Sequence, residues 1–146
     1  LYHEPVPVID PGKVAIIGAR DLDLGEKDNL RSAGALVLSM EQVDRIGMVA
    51  ALEQCIEQVS RDVDGIYLSM DLDALDPRFA PGVGTPVPGG LTYREGLLAC
   101  EVVAETGKLI GMDVVEVNPI LDEKNQTAKI AVEFACSALG SRVWQG

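Results

Sequence analysis

Histidine is almost absent from this chain: His3 is the one residue of its kind among 146. Nothing around it resembles a ligand cluster, so it is read as structural, and no histidine base or histidine-built metal site is expected from this sequence alone. Aromatic residues are equally scarce at 4%, against 47% hydrophobic residues in total, which describes an aliphatic, close-packed interior. Cysteine is limited to Cys55, Cys100 and Cys136. An odd count, wide spacing and no Cys-x-x-Cys exclude a disulfide framework and a zinc site. Each lies on or beside an apolar helical stripe, so all three are expected to be buried, reduced thiols in a cytoplasmic protein. No apolar run approaches the roughly 18 residues of a membrane helix, and no signal peptide opens the sequence. Basic residues number 12 against 23 acids, a net charge of −11. Nucleic acid requires a basic patch and is excluded as a partner. The acidity suits a small cationic partner, although solubility accounts for most of it.

What is present is a strand-then-helix alternation. Residues 14–17 and 35–38 are short, continuous apolar runs of the kind found in parallel strands. Ser39 and Gln42 offer a capping box for a short helix over residues 40–45, and helical spacing of Leu52, Cys55, Ile56 and Val59 covers residues 46–61. Residues 65–70 read as a third strand and 109–117 as a fourth. Thr92 and Glu95 form a second capping box, opening a helix that closes at Gly107. A last helix over residues 125–138 stops at Gly140. With no linker, repeat or low-complexity segment, residues 1–146 make one domain's worth of chain. The fold class expected is α/β: a parallel sheet with right-handed crossovers and helices on both faces.

The most informative segment is residues 69–90. The apolar run Ile66-Tyr67-Leu68 leads directly into three acids, Asp71, Asp73 and Asp76, followed by a loop rich in proline and glycine. Side chains two apart on a strand share a face, so Asp71 and Asp73 point the same way if the extended geometry persists. Converging carboxylates require a cation, a proton or an arginine, and hard oxygen ligands favour magnesium, calcium or manganese. On spacing alone a plainer reading serves equally well: Asp71 ends the strand, and Asp76 caps a turn before Pro77. The glycines invite comparison with a phosphate loop, but no lysine-serine or lysine-threonine pair follows, so that template fails. Ligands of open α/β sheets bind beyond the carboxyl ends of the strands. Asp21 and Asp23 follow the first strand, Asp71 and Asp73 end the third, and Glu116 lies near the end of the fourth. Three acidic clusters are therefore expected to converge on one edge. Asp113, inside the fourth strand, is read as a polar residue bonded to backbone.

Taken whole, Asp71-Leu-Asp-Ala-Leu-Asp-Pro77, with Ala80-Pro-Gly-Val-Gly-Thr-Pro86 and Gly89-Gly-Leu91, resembles the ureohydrolases, the family of arginase and agmatinase. Further matches stand at Ile17-Gly-Ala-Arg-Asp-Leu-Asp-Leu-Gly-Glu26 and Gly111-Met-Asp-Val-Val-Glu-Val-Asn-Pro-Ile-Leu-Asp122. Together they span about residues 14–140, and the Ala-Arg-Asp-Leu-Asp, Leu-Thr-Tyr-Arg-Glu and Glu-Val-Asn-Pro segments are closest to arginase.

The resemblance implies an arginase-like three-layer α/β/α domain and Mn2+-dependent hydrolysis of L-arginine to L-ornithine and urea, with two ions per complete site. By the same resemblance Asp71 bridges both ions and Asp73 ligates one. Glu116 receives the guanidinium, Asp23 contacts the amino end of the substrate, and Asp21 and Thr85 are supporting candidates. Arg94 and Glu95 match positions used at subunit contacts, implying a homo-oligomer, trimer or hexamer. Family members carry further ligands on an Asp-Ala-His-x-Asp segment and an upstream histidine, which this sequence lacks. The chain is therefore expected to be the C-terminal portion of such a domain, with no catalytic base of its own and no turnover alone. Agmatinase or another guanidino hydrolase is the alternative, and a non-catalytic fragment is the rival from another class.

Overall fold

Parallel strands alternate with helices along residues 9–144, the part of the chain that the computed structural model describes. His3 lies outside the described residues. The four expected strands form: β1 (Ala15–Ala19), β2 (Leu36–Ser39), β3 (Ile66–Asp71) and β4 (Leu109–Val115). β1 pairs with β2 and β3 with β4, both in parallel. The α/β class with parallel strands is as expected. The strands nonetheless make two pairs rather than one continuous sheet among the described residues.

Packing beside the strands joins the pairs. Leu38 of β2 shares a core with Val43 of α2 (Met40–Ile46), with Ala51 and Leu52 of α3 (Met48–Val59), and with Leu91 and Ala99. Ala99 lies on α4 (Tyr93–Glu105), whose Cys100 belongs to a second core with Met70 of β3 and Phe134 of α5 (Gln126–Ala138). α4 thus serves both cores. Among the described residues, no helix is long and apolar enough to cross a membrane.

Local chemistry sets the boundaries. Both expected capping boxes close, Ser39 with Gln42 and Thr92 with Glu95, each contributing about 1 kcal/mol. Gly47, at φ 83° and ψ 150°, separates α2 from α3. Asn125, expected to open the last helix, makes no capping bond. Asp122 does so instead, its carboxylate accepting from the amides of Thr127 at 3.0 Å and Ala128 at 3.1 Å. One helix, α1 (Leu24–Ala33), was not expected. It buries none of its residues, so it has no apolar stripe to read, and a capping box between Asp23 and Glu26 starts it.

Cysteine placement corrects one expectation. Cys55 and Cys100 are buried, but Cys136 is exposed. Two residues beyond the buried Phe134, it has turned roughly 200° around α5, away from the core.

Candidate active site

Leu72 and Leu75 are 0% and 1% exposed, and they pin the segment that carries the acids. The extended geometry of β3 stops at Asp71, and a single 3-10 turn follows over Leu72–Ala74. Asp71 caps that turn, its carboxylate accepting from the Asp73 amide at 3.2 Å. Strand alternation therefore does not aim these two side chains, yet both line one cleft of about 340 Å³ with Arg20, Asp21 and Thr85. The Thr85 hydroxyl donates to Asp73 Oδ2 at 2.9 Å.

Half-burial of Asp71 pushes its carboxyl up to about 6, against an amide bond from Asp73 that pulls the other way. Charge repulsion and side-chain contact from Asp73 raise it, as does the charge of Glu116. The effect on folding has a definite sign. Between about pH 4 and pH 6 the folded chain holds a proton that the unfolded chain has released, so this group's stabilisation is lost as pH rises through about 6. In the metal-free chain Asp71 should contribute a loss of stability across that interval, and Asp71→Asn should remove that contribution from the slope. Urea melts at a series of pH values test this, and an unchanged slope in the variant would assign the loss to other groups.

The third acid works differently. Asp76 is 4% exposed and sits in the turn before Pro77, where Arg78 donates to its Oδ1 from both side chain and backbone. The Gly89 amide donates to Oδ2 at 2.8 Å. These donors, Arg78 first, hold its carboxyl far below the usual range. Asp76 thus closes the glycine-proline loop, as its turn-capping reading anticipated. At the loop's end Gly90 passes so close to Asp76 that a Cβ would stand 2.5 Å from the Ala74 carbonyl oxygen. That approach lets Leu91 bridge to the acid-bearing segment.

Glu116 is exposed, one residue beyond β4, at φ 66°. Left-handed backbone is uncommon for a non-glycine residue, and such strain recurs where a side chain is held for function. Its carboxylate lies over the loop, Oε2 standing 3.3 Å from where a Cβ on Gly84 would be. The cleft brings together Asp21, Asp71, Asp73 and Thr85; Glu116 and Asp23 are not among its lining residues. The Asp23 carboxylate accepts from the Glu26 amide at the start of α1.

Other residues singled out in the sequence make bonds within the chain. Asp113 accepts from Ser69 Oγ at 2.7 Å and Tyr67 OH at 3.2 Å, so its partners are side chains rather than backbone. Arg94 donates to both carboxylate oxygens of Glu101, and Glu95 caps α4.

Sequence reasoning gave Arg20 no role. The structure puts its guanidinium against four backbone carbonyls at the ends of these segments. The available signal was an arginine placed directly before a strand-end acid in a very acidic chain.

Hard carboxylate oxygens crowded together suit a divalent cation. The raised Asp71 carboxyl fits that reading, since a proton holds the place a cation would take. Among the described residues, no group of three or more histidine, cysteine or carboxylate side chains could hold a metal. Asp71 and Asp73 are a donor pair of the type that suits such a cation.

Comparison with known proteins points the same way. The Arginase family model matches residues 2–140. The arginase of Bacillus caldovelox is 50% identical over 137 residues, covering 94% of this chain and 46% of that protein. A solved structure of the Bacillus caldovelox arginase superposes with a TM-score of 0.90 at 49% identity, over 93% of this chain and 46% of the other. Proclavaminate amidino hydrolase from Streptomyces clavuligerus matches at 36% identity and a TM-score of 0.79, over 90% of this chain and 42% of the other. The chain spans about half the length of the curated relatives it matches.

Proposed function

Because the chain belongs to the arginase family, we propose that it supplies one side of a binuclear manganese centre hydrolysing L-arginine to L-ornithine and urea. The observation that carries this reading is the pairing of Asp71 with Asp73 at the end of β3, in a cleft shared with Asp21 and Thr85. Asp71 would bridge two ions, and Asp73 would hold one. Manganese, when bound, supplies the Lewis acidity that makes water a competent nucleophile near neutral pH.

The chain's own residues bind and orient. Thr85 fixes the rotation of the Asp73 carboxylate through its 2.9 Å hydrogen bond. Glu116 accepts the guanidinium N–H donors, a pairing that suits a carboxylate. Asp23 faces the ammonium at the substrate's amino end; accepting from the Glu26 amide uses only part of its acceptor capacity. Asp21 contributes negative charge beside the metal ligands. The remaining ligands and the proton-handling group would come from sequence outside this chain, and the 146 residues alone would not turn over.

We place the protein in the cytoplasm as a homo-oligomer, a trimer or hexamer. Cys55, Cys100 and Cys136 are all free thiols, which suits a reducing compartment. Leu139, Val143 and Trp144, exposed at and beyond the end of α5, offer apolar surface for assembly.

A chimera tests the substrate: residues 9–140 replace the matching segment of the Bacillus caldovelox arginase, and urea release is compared on L-arginine and agmatine. Manganese-dependent release from L-arginine, well above agmatine, is expected. The reverse order would reassign the chain to agmatine hydrolysis.

A further inference from the structure

We propose that Arg20 is a positioning residue for the metal-binding carboxylates, a clasp that sets Asp73 and Thr85 against each other. The proposal rests on the reading of Asp73 as a metal ligand. It goes beyond that reading by assigning work to a residue that is neither a ligand nor a substrate contact.

Arg20 leaves the end of β1, and its half-buried side chain crosses to the segment that follows β3. Nη2 donates to the carbonyls of Asp73 at 2.7 Å, Val87 at 2.5 Å and Leu75 at 3.3 Å. Nε donates to Val87 at 3.0 Å and Nη1 to Ala74 at 3.3 Å. Every one of these acceptors is a backbone carbonyl. Although Asp21, Asp71 and Asp73 line the same cleft, the guanidinium makes no hydrogen bond to any of their carboxylates. It therefore acts through shape, by satisfying carbonyls on two separate segments with one planar fork.

Those two segments are the ones that matter. The first carries Asp73; the second carries Thr85, two residues before Val87. The Thr85 hydroxyl returns to Asp73 Oδ2 at 2.9 Å, and the Asp73 amide donates to Asp71 Oδ1 at 3.2 Å. A closed ring of bonds results: Arg20 to the Asp73 carbonyl, the Asp73 carboxylate to Thr85, and the Val87 carbonyl back to Arg20. Opening it at Arg20 frees the loop that orients Asp73, and with it the angle between the two carboxylates. Lysine would keep the positive charge but present one ammonium where a rigid fork is needed, so Arg20→Lys separates charge from geometry.

The test is a double-mutant cycle on the 146-residue chain itself, comparing wild type, Arg20→Lys, Thr85→Val and the double variant. Amide hydrogen exchange across residues 73–89 is followed without metal, and Mn2+ affinity by the free-ion electron paramagnetic resonance signal. Arg20→Lys should retain the far-ultraviolet circular dichroism of the wild type. It should exchange faster over residues 73–89 and bind Mn2+ about tenfold more weakly, the scale of one charge-assisted hydrogen bond. The double variant should be little worse than either single one, because both break the same ring. Additive losses, or loosened exchange with unchanged Mn2+ affinity, would overturn the proposal and leave Arg20 a structural residue. Should the wild type give no Mn2+ response while the exchange data still couple Arg20 to Thr85, the metal reading fails and the ring stands as loop structure only, which also removes the positioning role.

Discussion

Asp71→Ala in the chimera is expected to empty both metal positions, whereas Asp73→Ala should empty mainly one. The difference follows from the roles proposed for them, and their placement is compatible with it. Asp71 ends β3 and is the acid whose charge is least tolerated without a cation, through burial, Asp73 and Glu116 together. Asp73 lies beyond it on the 3-10 turn, and Thr85 already occupies one of its oxygens. A bridging carboxylate serves two ions, so its loss should be felt by both. Urea release by Asp71→Ala should fall by at least about a thousandfold, because metal coordination can lower the pKa of water by roughly 9 units and that activation would be lost. Metal content per chain after dialysis separates the two variants. Equal losses would contradict the division between a bridging and a terminal acid.

Glu116→Gln has the second-largest expected effect, and it is a different one. The substitution preserves size and one acceptor but removes the charge that would face the guanidinium. Charge-assisted pairs are about twice as strong as neutral hydrogen bonds, and breaking one in a dehydrated site costs roughly 2–5 kcal/mol. A loss near 3 kcal/mol corresponds to a fall in kcat/KM on the order of a hundredfold. Manganese content of the chimera should not change, since Glu116 is assigned to substrate. Loss of metal would move the residue into the coordination shell, and near-normal kcat/KM would remove it from the site.

The features legible in the sequence were those written in local code. The run before Asp71 reads as a strand because it is short, apolar and ends in acids, and Ser39–Gln42 and Thr92–Glu95 announce helix starts by spacing alone. α1 escaped because periodicity detects burial, and none of its residues is buried. Its Asp23–Glu26 box follows the same local code and could have been read. The start of α5 falls within one residue of its expected position, but what caps it was not legible. Asn125 is a good capping residue by type, but Asp122 reaches amides five and six positions ahead.

The cleft was legible in part as a set of residues, without Glu116 and Asp23 among its lining, and not as a geometry. Asp21, Asp71, Asp73 and Thr85 do share a cleft. The reason differs from the one the spacing offered: a 3-10 turn with Leu72 buried inside it, rather than a continued strand, positions Asp73. The Arg20 bonds were invisible because carbonyl acceptors belong to backbone, and no side-chain pattern records which carbonyls a distant arginine will meet. The left-handed turn at Glu116 likewise becomes visible only once the chain is folded.

On the proposed reading, this chain contributes one side of a two-metal centre. Calorimetric titration of the 146-residue chain with Mn2+ tests it most directly. Asp71 and Asp73 without further ligands should bind weakly, with no measurable urea released from L-arginine in the same sample. Tight binding at two sites would contradict the claim, because this chain would then hold the whole centre by itself.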